Sequence, residues 1–126
     1  MTPEGVAAVD EINVAFAPSA VTVEPDGDGG AFVVVESVPL GDLYVAADTW
    51  LGFQITFQYP LSDVYPHFVR GDLARVDGGP LGEATSPVPW RDRSAIQLSR
   101  RSNRLNPATD TAVLKALKVM TWLNSR

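Results

Sequence analysis

The sequence predicts an α+β fold, and three observations carry that expectation. Apolar residues recur at three- and four-residue steps near both ends of the chain. Between those ends the period falls to two, as in half-buried strands. The two-period segments are separated by glycine- and proline-rich turns rather than by further helices, which favours antiparallel pairing over a βαβ arrangement. The chain of 126 residues is long enough for one hydrophobic core, so residues 1–126 are read as a single domain.

Residues 3–16 form the first expected helix. Thr2 can accept a hydrogen bond as N-cap, Pro3 suits the first helical position, and Glu4 complements the positive end of the helix dipole. Val9, Ile12 and Phe16 make its apolar stripe, and Pro18 closes it. Val21 and Val23 then alternate with Thr22 and Glu24. The run Pro25-Asp26-Gly27-Asp28-Gly29-Gly30 is a turn, followed by a second strand through Ala31–Glu36. The clearest strand spans Trp50 to Gln58. Leu51, Phe53, Ile55 and Phe57 alternate with Gly52, Gln54, Thr56 and Gln58, as for a sheet with one face against a helix.

From Tyr59 to Trp90 the chain is irregular and proline-containing, with a short strand expected around Phe68–Val76. The last element is a helix capped by Asn106, with Pro107 next and Asp110 in its first turn. Val113, Leu117, Met120 and Leu123 supply its core stripe, and Lys115 and Lys118 fall towards its negative end.

Composition removes several function classes. There are no cysteines, so disulfides, thiolate metal sites and thiol nucleophiles are excluded, and a cytoplasmic chain is expected. One histidine, His67, cannot build a multi-histidine metal centre; neither a metal nor another cofactor is expected. His67 itself is expected to be a partly buried hydrogen-bonding residue. No stretch approaches the roughly 20 apolar residues that span a bilayer, and the N-terminus lacks the pattern of a secretory signal.

Fifteen acidic against ten basic residues give a net charge of −5, which argues against a nucleic-acid backbone binder. Charge is nevertheless segregated. Residues 1–50 contain no Lys or Arg, whereas every basic residue lies from Arg70 onward. Arg91, Arg93, Arg100, Arg101 and Arg104 therefore form a candidate docking patch for an acidic partner, set against the simpler reading of a solvated loop.

Several local sequences point to one family. Phe57-Gln58-Tyr59-Pro60 is followed by Tyr65-Pro66-His67-Phe68-Val69. Ile96-Gln97-Leu98 precedes Asn106-Pro107-Ala108 at the spacing that separates an Ile-Cys-Leu reaction centre from a Ser-Pro-Ala helix start. In these features, and in the order of elements, the chain resembles the E2 (ubiquitin-conjugating, UBC-like) family, its prokaryotic E2-like members in particular. The resemblance implies an N-terminal helix, a four-stranded antiparallel meander and a C-terminal helix. Gln97 stands at the position of the conjugating cysteine, and an amide cannot be acylated into a thioester. Ser86-Pro87-Val88-Pro89-Trp90 stands where the family has its His-Pro-Asn turn, so the oxyanion-stabilising Asn is missing as well.

The resemblance thus implies a cysteine-less E2-like protein of a bacterial ubiquitin-like pathway. Its partners would be a ubiquitin-like protein, an E1-like activating enzyme or a second E2-like subunit. An alternative keeps conjugation through an oxyester on a serine near Gln97, most simply Ser99 or Ser102, with Ser94 also close in sequence. Against it stands the absence of a histidine base near those serines; the plain reading is that they satisfy loop backbone groups. A further alternative is an α+β interaction domain unrelated to ubiquitin chemistry. Asp63, Asp72 and Asp77 show no pairing pattern and are expected in turns. Trp90 and Trp122 are expected as packing anchors.

Overall fold

A computed structural model describes all residues 1–126. Two helices, α1 (Pro3–Phe16) and α2 (Ala112–Asn124), accompany six strands: β1 (Val21–Pro25), β2 (Ala31–Pro39), β3 (Asp48–Ile55), β4 (His67–Arg70), β5 (Thr85–Pro87) and β6 (Ala95–Leu98). All strand pairs are antiparallel, in the order β1-β2-β3-β4-β6-β5. The expected four strands are therefore six. The two additional ones come from the proline-rich crossing and from the Ile96-Gln97-Leu98 segment, both too short to show a period.

Cross-strand partners identify the two faces of the sheet. Val33 opposes Phe53, Val35 opposes Leu51, Leu51 opposes Val69, Val69 opposes Ile96, and His67 opposes Leu98. These residues are buried and share one core with Ala8 and Ile12 of α1 and Ala116, Val119 and Leu123 of α2. Both helices thus cover one face. On the other, Val34 opposes Gly52, Gly52 opposes Phe68, and Phe68 opposes Gln97. The Trp90 ring lies there, stacked 4.9 Å from Phe68 and 6.0 Å from Trp50 by centroid.

The first helix and hairpin form as their local chemistry dictates. The Gly5 amide donates to Thr2 Oγ1 at 3.0 Å. In the hairpin turn, Asp26 Oδ1 accepts from the amides of Asp28 and Gly30. Gly27 adopts φ 85° and Gly29 φ 90°, a region that a side chain disfavours. Those hydrogen bonds, with another from Gln54, hold the Asp26 carboxyl below the usual carboxylate range.

Several boundaries differ from expectation. The central strand ends at Ile55, because the chain turns there with the Tyr59 amide on the Thr56 carbonyl. Phe57 consequently leaves the inward row and is exposed. The fourth strand stops at Arg70, and Gly71–Val76 turns away, tied back by the single bridge between Tyr44 and Arg75.

The last helix begins five residues later than Asn106 implies. Asn106 instead closes a tight turn: its side-chain oxygen accepts from Ala108, and its amide donates to Asp110 Oδ2. The N-cap is Thr111, whose Oγ1 accepts from Leu114 at 3.2 Å. The buried Tyr59 hydroxyl accepts from the Ala112 amide at 3.0 Å, satisfying another free donor of the first turn. At the other end, the Tyr44 hydroxyl donates to the Leu123 carbonyl at 2.7 Å, and the Gly41 amide donates to Asn124 Oδ1. Burial raises the Tyr44 pKa. Two long loops therefore fasten α2 at both ends.

Candidate functional site

The buried row of α2 is not the one expected from its apolar stripe. Counted from Ala112, the buried row is Ala112, Lys115, Ala116, Val119, Met120 and Leu123, while Leu117 is exposed. Lys115 thus stands in the first turn and points into the protein rather than towards the helix C-terminus. Its ammonium donates to Asp63 Oδ1 and Oδ2, each at 3.0 Å, and to Ser102 Oγ at 2.8 Å. Ser102 completes the cluster: its amide donates to Asp63 Oδ2 at 2.7 Å and its hydroxyl to Asp63 Oδ1 at 2.9 Å. The Lys115 side chain is only 9% exposed and that of Asp63 19%.

Burial raises the Asp63 pKa, but the bonds from Ser102 and Lys115 together outweigh it. The net effect holds the carboxyl below its ordinary range. Asp63 therefore stays ionised, and the lysine beside it already donates to three acceptors. An ammonium so engaged cannot take the Ser102 proton, so the cluster does not generate a nucleophile. What it does is mechanical: it pins the segment joining β6 to α2, at Ser102, to the first turn of α2. Asp63 is thus not the turn residue expected of it. Asp72 and Asp77 instead pair locally, with Arg70 and Arg75 respectively.

Around this anchor opens a cleft of about 470 Å³, lined by the 100–106 segment and by Asp110, Lys115, Lys118, Val119 and Trp122 of the following turn and helix. Its charge is one-sided. Five of the ten basic side chains (Arg70, Arg75, Arg91, Arg93 and Lys115) have a carboxylate within salt-bridge distance. The other five are Arg100, Arg101, Arg104, Lys118 and Arg126. Four of them line the cleft, and Arg126 lies 4.5 Å over the ring of Trp122 at its wall. Arg100 also lies over Trp122, at 4.9 Å, and Arg101 over Tyr65, at 4.1 Å. Asp110, the one acidic side chain lining the cleft, is engaged with the Asn106 amide.

The five-arginine patch read from the sequence is therefore divided. Arg100, Arg101 and Arg104 converge on the cleft. Arg91 and Arg93 sit on the face of the sheet away from the helices. There Arg91 pairs with Glu24 and covers Phe32, while Arg93 pairs with Glu36 at 3.3 Å and covers Trp50. They latch the Trp90 turn onto the sheet, and their charges are already compensated.

The serines divide likewise. Gln97 belongs to β6 rather than to a loop. It faces the same side as Phe68 and donates through Nε2 to Ser99 Oγ at 3.1 Å. Ser102 is committed to the anchor on the helix side, so Gln97 and Ser102 are not brought together. Ser94 is exposed near Gly71.

His67 is fully buried rather than partly buried. Neither imidazole nitrogen has a hydrogen-bond partner, and the ring packs 5.2 Å from that of Phe53. Burial first, and the charge of Lys115 second, push its pKa down to about 3 against the opposing pull of Asp63. It is a neutral core residue with no route to any of the serines. No group of three or more His, Cys, Asp or Glu side chains converges to hold a metal ion. No helix is long and apolar enough to cross a membrane.

Lys115 is the functional residue that sequence reasoning misplaced. Its three- and four-residue spacing from Ala112, Ala116 and Val119 puts it on the buried row, a signal outweighed at the sequence level by the larger side chains of Val113 and Leu117. Comparison with protein families, with curated proteins and with solved structures finds no match to this chain.

Proposed function

We propose that this chain is a binding domain without thioester chemistry, which docks an acidic segment of a partner protein in the cleft beside α2. The observation that carries the reading is the gathering of all five uncompensated cations around one cleft, in a chain whose net charge is −5. Cations left without carboxylates beside an excess of acidic residues are complementary to an external anion. The finer reading is a cysteine-less, UBC-like member of a bacterial ubiquitin-like pathway. Its support is the run of four strands in sequence order between two helices, with a glutamine, Gln97, where the resemblance puts the conjugating cysteine. In that reading the partner is a ubiquitin-like protein, an E1-like enzyme or a second E2-like subunit.

Calorimetry against the proteins encoded beside this chain tests the proposal. A partner should bind, and the double reversal Arg101→Glu, Arg104→Glu should weaken it by about tenfold or more, since each reversed charge opposes docking. Absence of binding to all of them, or indifference to the reversal, ends the reading. The serine-conjugation alternative has one contact in its favour, Lys115 Nζ on Ser102 Oγ at 2.8 Å. Because Asp63 holds that lysine as a donor, no hydroxylamine-sensitive adduct is expected on Ser102 after incubation with an activating enzyme.

A further inference from the structure

The cations of the cleft differ in how they are held, and that difference bears on what they recognise. The guanidinium groups of Arg100 and Arg101 lie over the rings of Trp122 and Tyr65. A guanidinium stacked by its face keeps its in-plane N–H groups free and loses little rotational freedom when an oxyanion arrives. Neither makes a side-chain hydrogen bond or ion pair within the protein. The cleft therefore presents two forks that rest on aromatic rings and have no carboxylate partner, with Arg104 and the point charge of Lys118 beside them. Trp122 is already covered by Arg100 and Arg126, so its face is not offered to a nucleobase.

Resting on the docking reading above, we propose that the partner's acidic segment is recognised in phosphorylated form, its phosphoryl group held by Arg100, Arg101, Arg104 and Lys118. Three acceptor oxygens carrying close to two charges match several converging donors better than a single carboxylate does. The cleft is about half open to solvent, which leaves room for a chain segment to lie across it. The Asp63–Lys115–Ser102 anchor is what keeps the arginines there: it fixes Ser102, between Arg101 and Arg104, to the base of α2. Asp63 is on this account a positioning residue for the site.

The test is calorimetric titration of the whole chain with a short Asp/Glu-rich peptide bearing one phosphoserine, and with its unphosphorylated twin. The phosphorylated peptide should bind about tenfold tighter, the scale of one charge-assisted bidentate contact. Inorganic pyrophosphate should compete, whereas Arg75→Ala, away from the cleft, should change nothing. Asp63→Asn separates anchoring from simple electrostatics. Removing a negative charge would by itself tighten anion binding, whereas release of the loop loosens it, and loosening is expected. Should that variant fail to fold, Ser102→Ala loosens the same anchor without leaving a buried charge, and weaker phosphopeptide binding is again expected. Equal affinity for the two peptides overturns the phosphoryl inference while leaving acidic docking intact. Failure of both peptides, with no partner protein bound, removes the docking reading itself.

Discussion

His67 shows how one side chain couples this fold to pH. Its folded pKa is about 3, against an ordinary value of 6.5. Between those values the unfolded chain binds a proton that the folded chain refuses, so stability is complete above about pH 6.5 and declines as pH falls. The slope reaches about 1.4 kcal/mol per pH unit for one proton. Asp63 adds to the loss in more acid solution, because a carboxyl held below its ordinary range stops stabilising the fold once it is protonated. His67→Leu keeps an apolar filler against Phe53 and removes the titration. Urea unfolding between pH 7 and 4 should therefore give a flatter stability profile for the variant than for the parent. A parallel profile would mean that His67 is not buried in its neutral form. Nothing in the sequence marks this histidine as fully enclosed, since its neighbours Pro66 and Phe68 suit a partly wet strand end equally well.

The helix α2 is set by its caps rather than by the most prominent start signal. Asn106-Pro107 has the composition of a helix N-terminus, and its asparagine does accept a backbone hydrogen bond, but from Ala108 within a turn. Thr111 and the distant Tyr59 hydroxyl begin the helix instead. Thr111→Ala should cost about 1 kcal/mol, the usual worth of an N-cap oxygen. Asn106→Ala should lower stability by less and leave the helical circular-dichroism signal unchanged. Equal losses in the two variants would place the helix start back at Asn106. The consequence reaches the site, because the late start puts Lys115 in the first turn, beside Asp63 and the non-helical segment that carries Ser102. Local sequence contained the Thr111 signal too. What it lacked was Tyr59, 53 positions away in the chain, which tips the competition between two adequate caps.

The division of the arginines belongs to the assembled molecule. Arg91 and Arg100 are nine positions apart, yet β6 runs between them and carries one group to the far face of the sheet and the other to the helices. Gly52 depends on the same assembly. A methyl group built on it would collide with the Trp90 ring, which occupies the slot left beside Phe68. Gly52→Ala should destabilise the protein by about 1–3 kcal/mol, the range for overpacking a filled site, and should shift the tryptophan emission as Trp90 is displaced. An alanine variant of parental stability and spectrum would show that the Trp90 turn is not seated on the sheet.

Short-range information settles those features whose energetics are short-ranged. The first helix with its Thr2 cap, the Asp26–Gly30 turn, and the alternation through Leu51, Phe53 and Ile55 all follow from neighbours a few residues apart. They are present in the fold as read. Tertiary packing alone decided that Ile96-Gln97-Leu98 is a strand, that Lys115 is buried on Asp63, and that only some of the arginines share a cleft. Each of those outcomes turns on partners remote in sequence: strand pairing needs another strand, a buried ammonium needs its carboxylate, and an unneutralised patch exists only once the competing acids have been placed elsewhere.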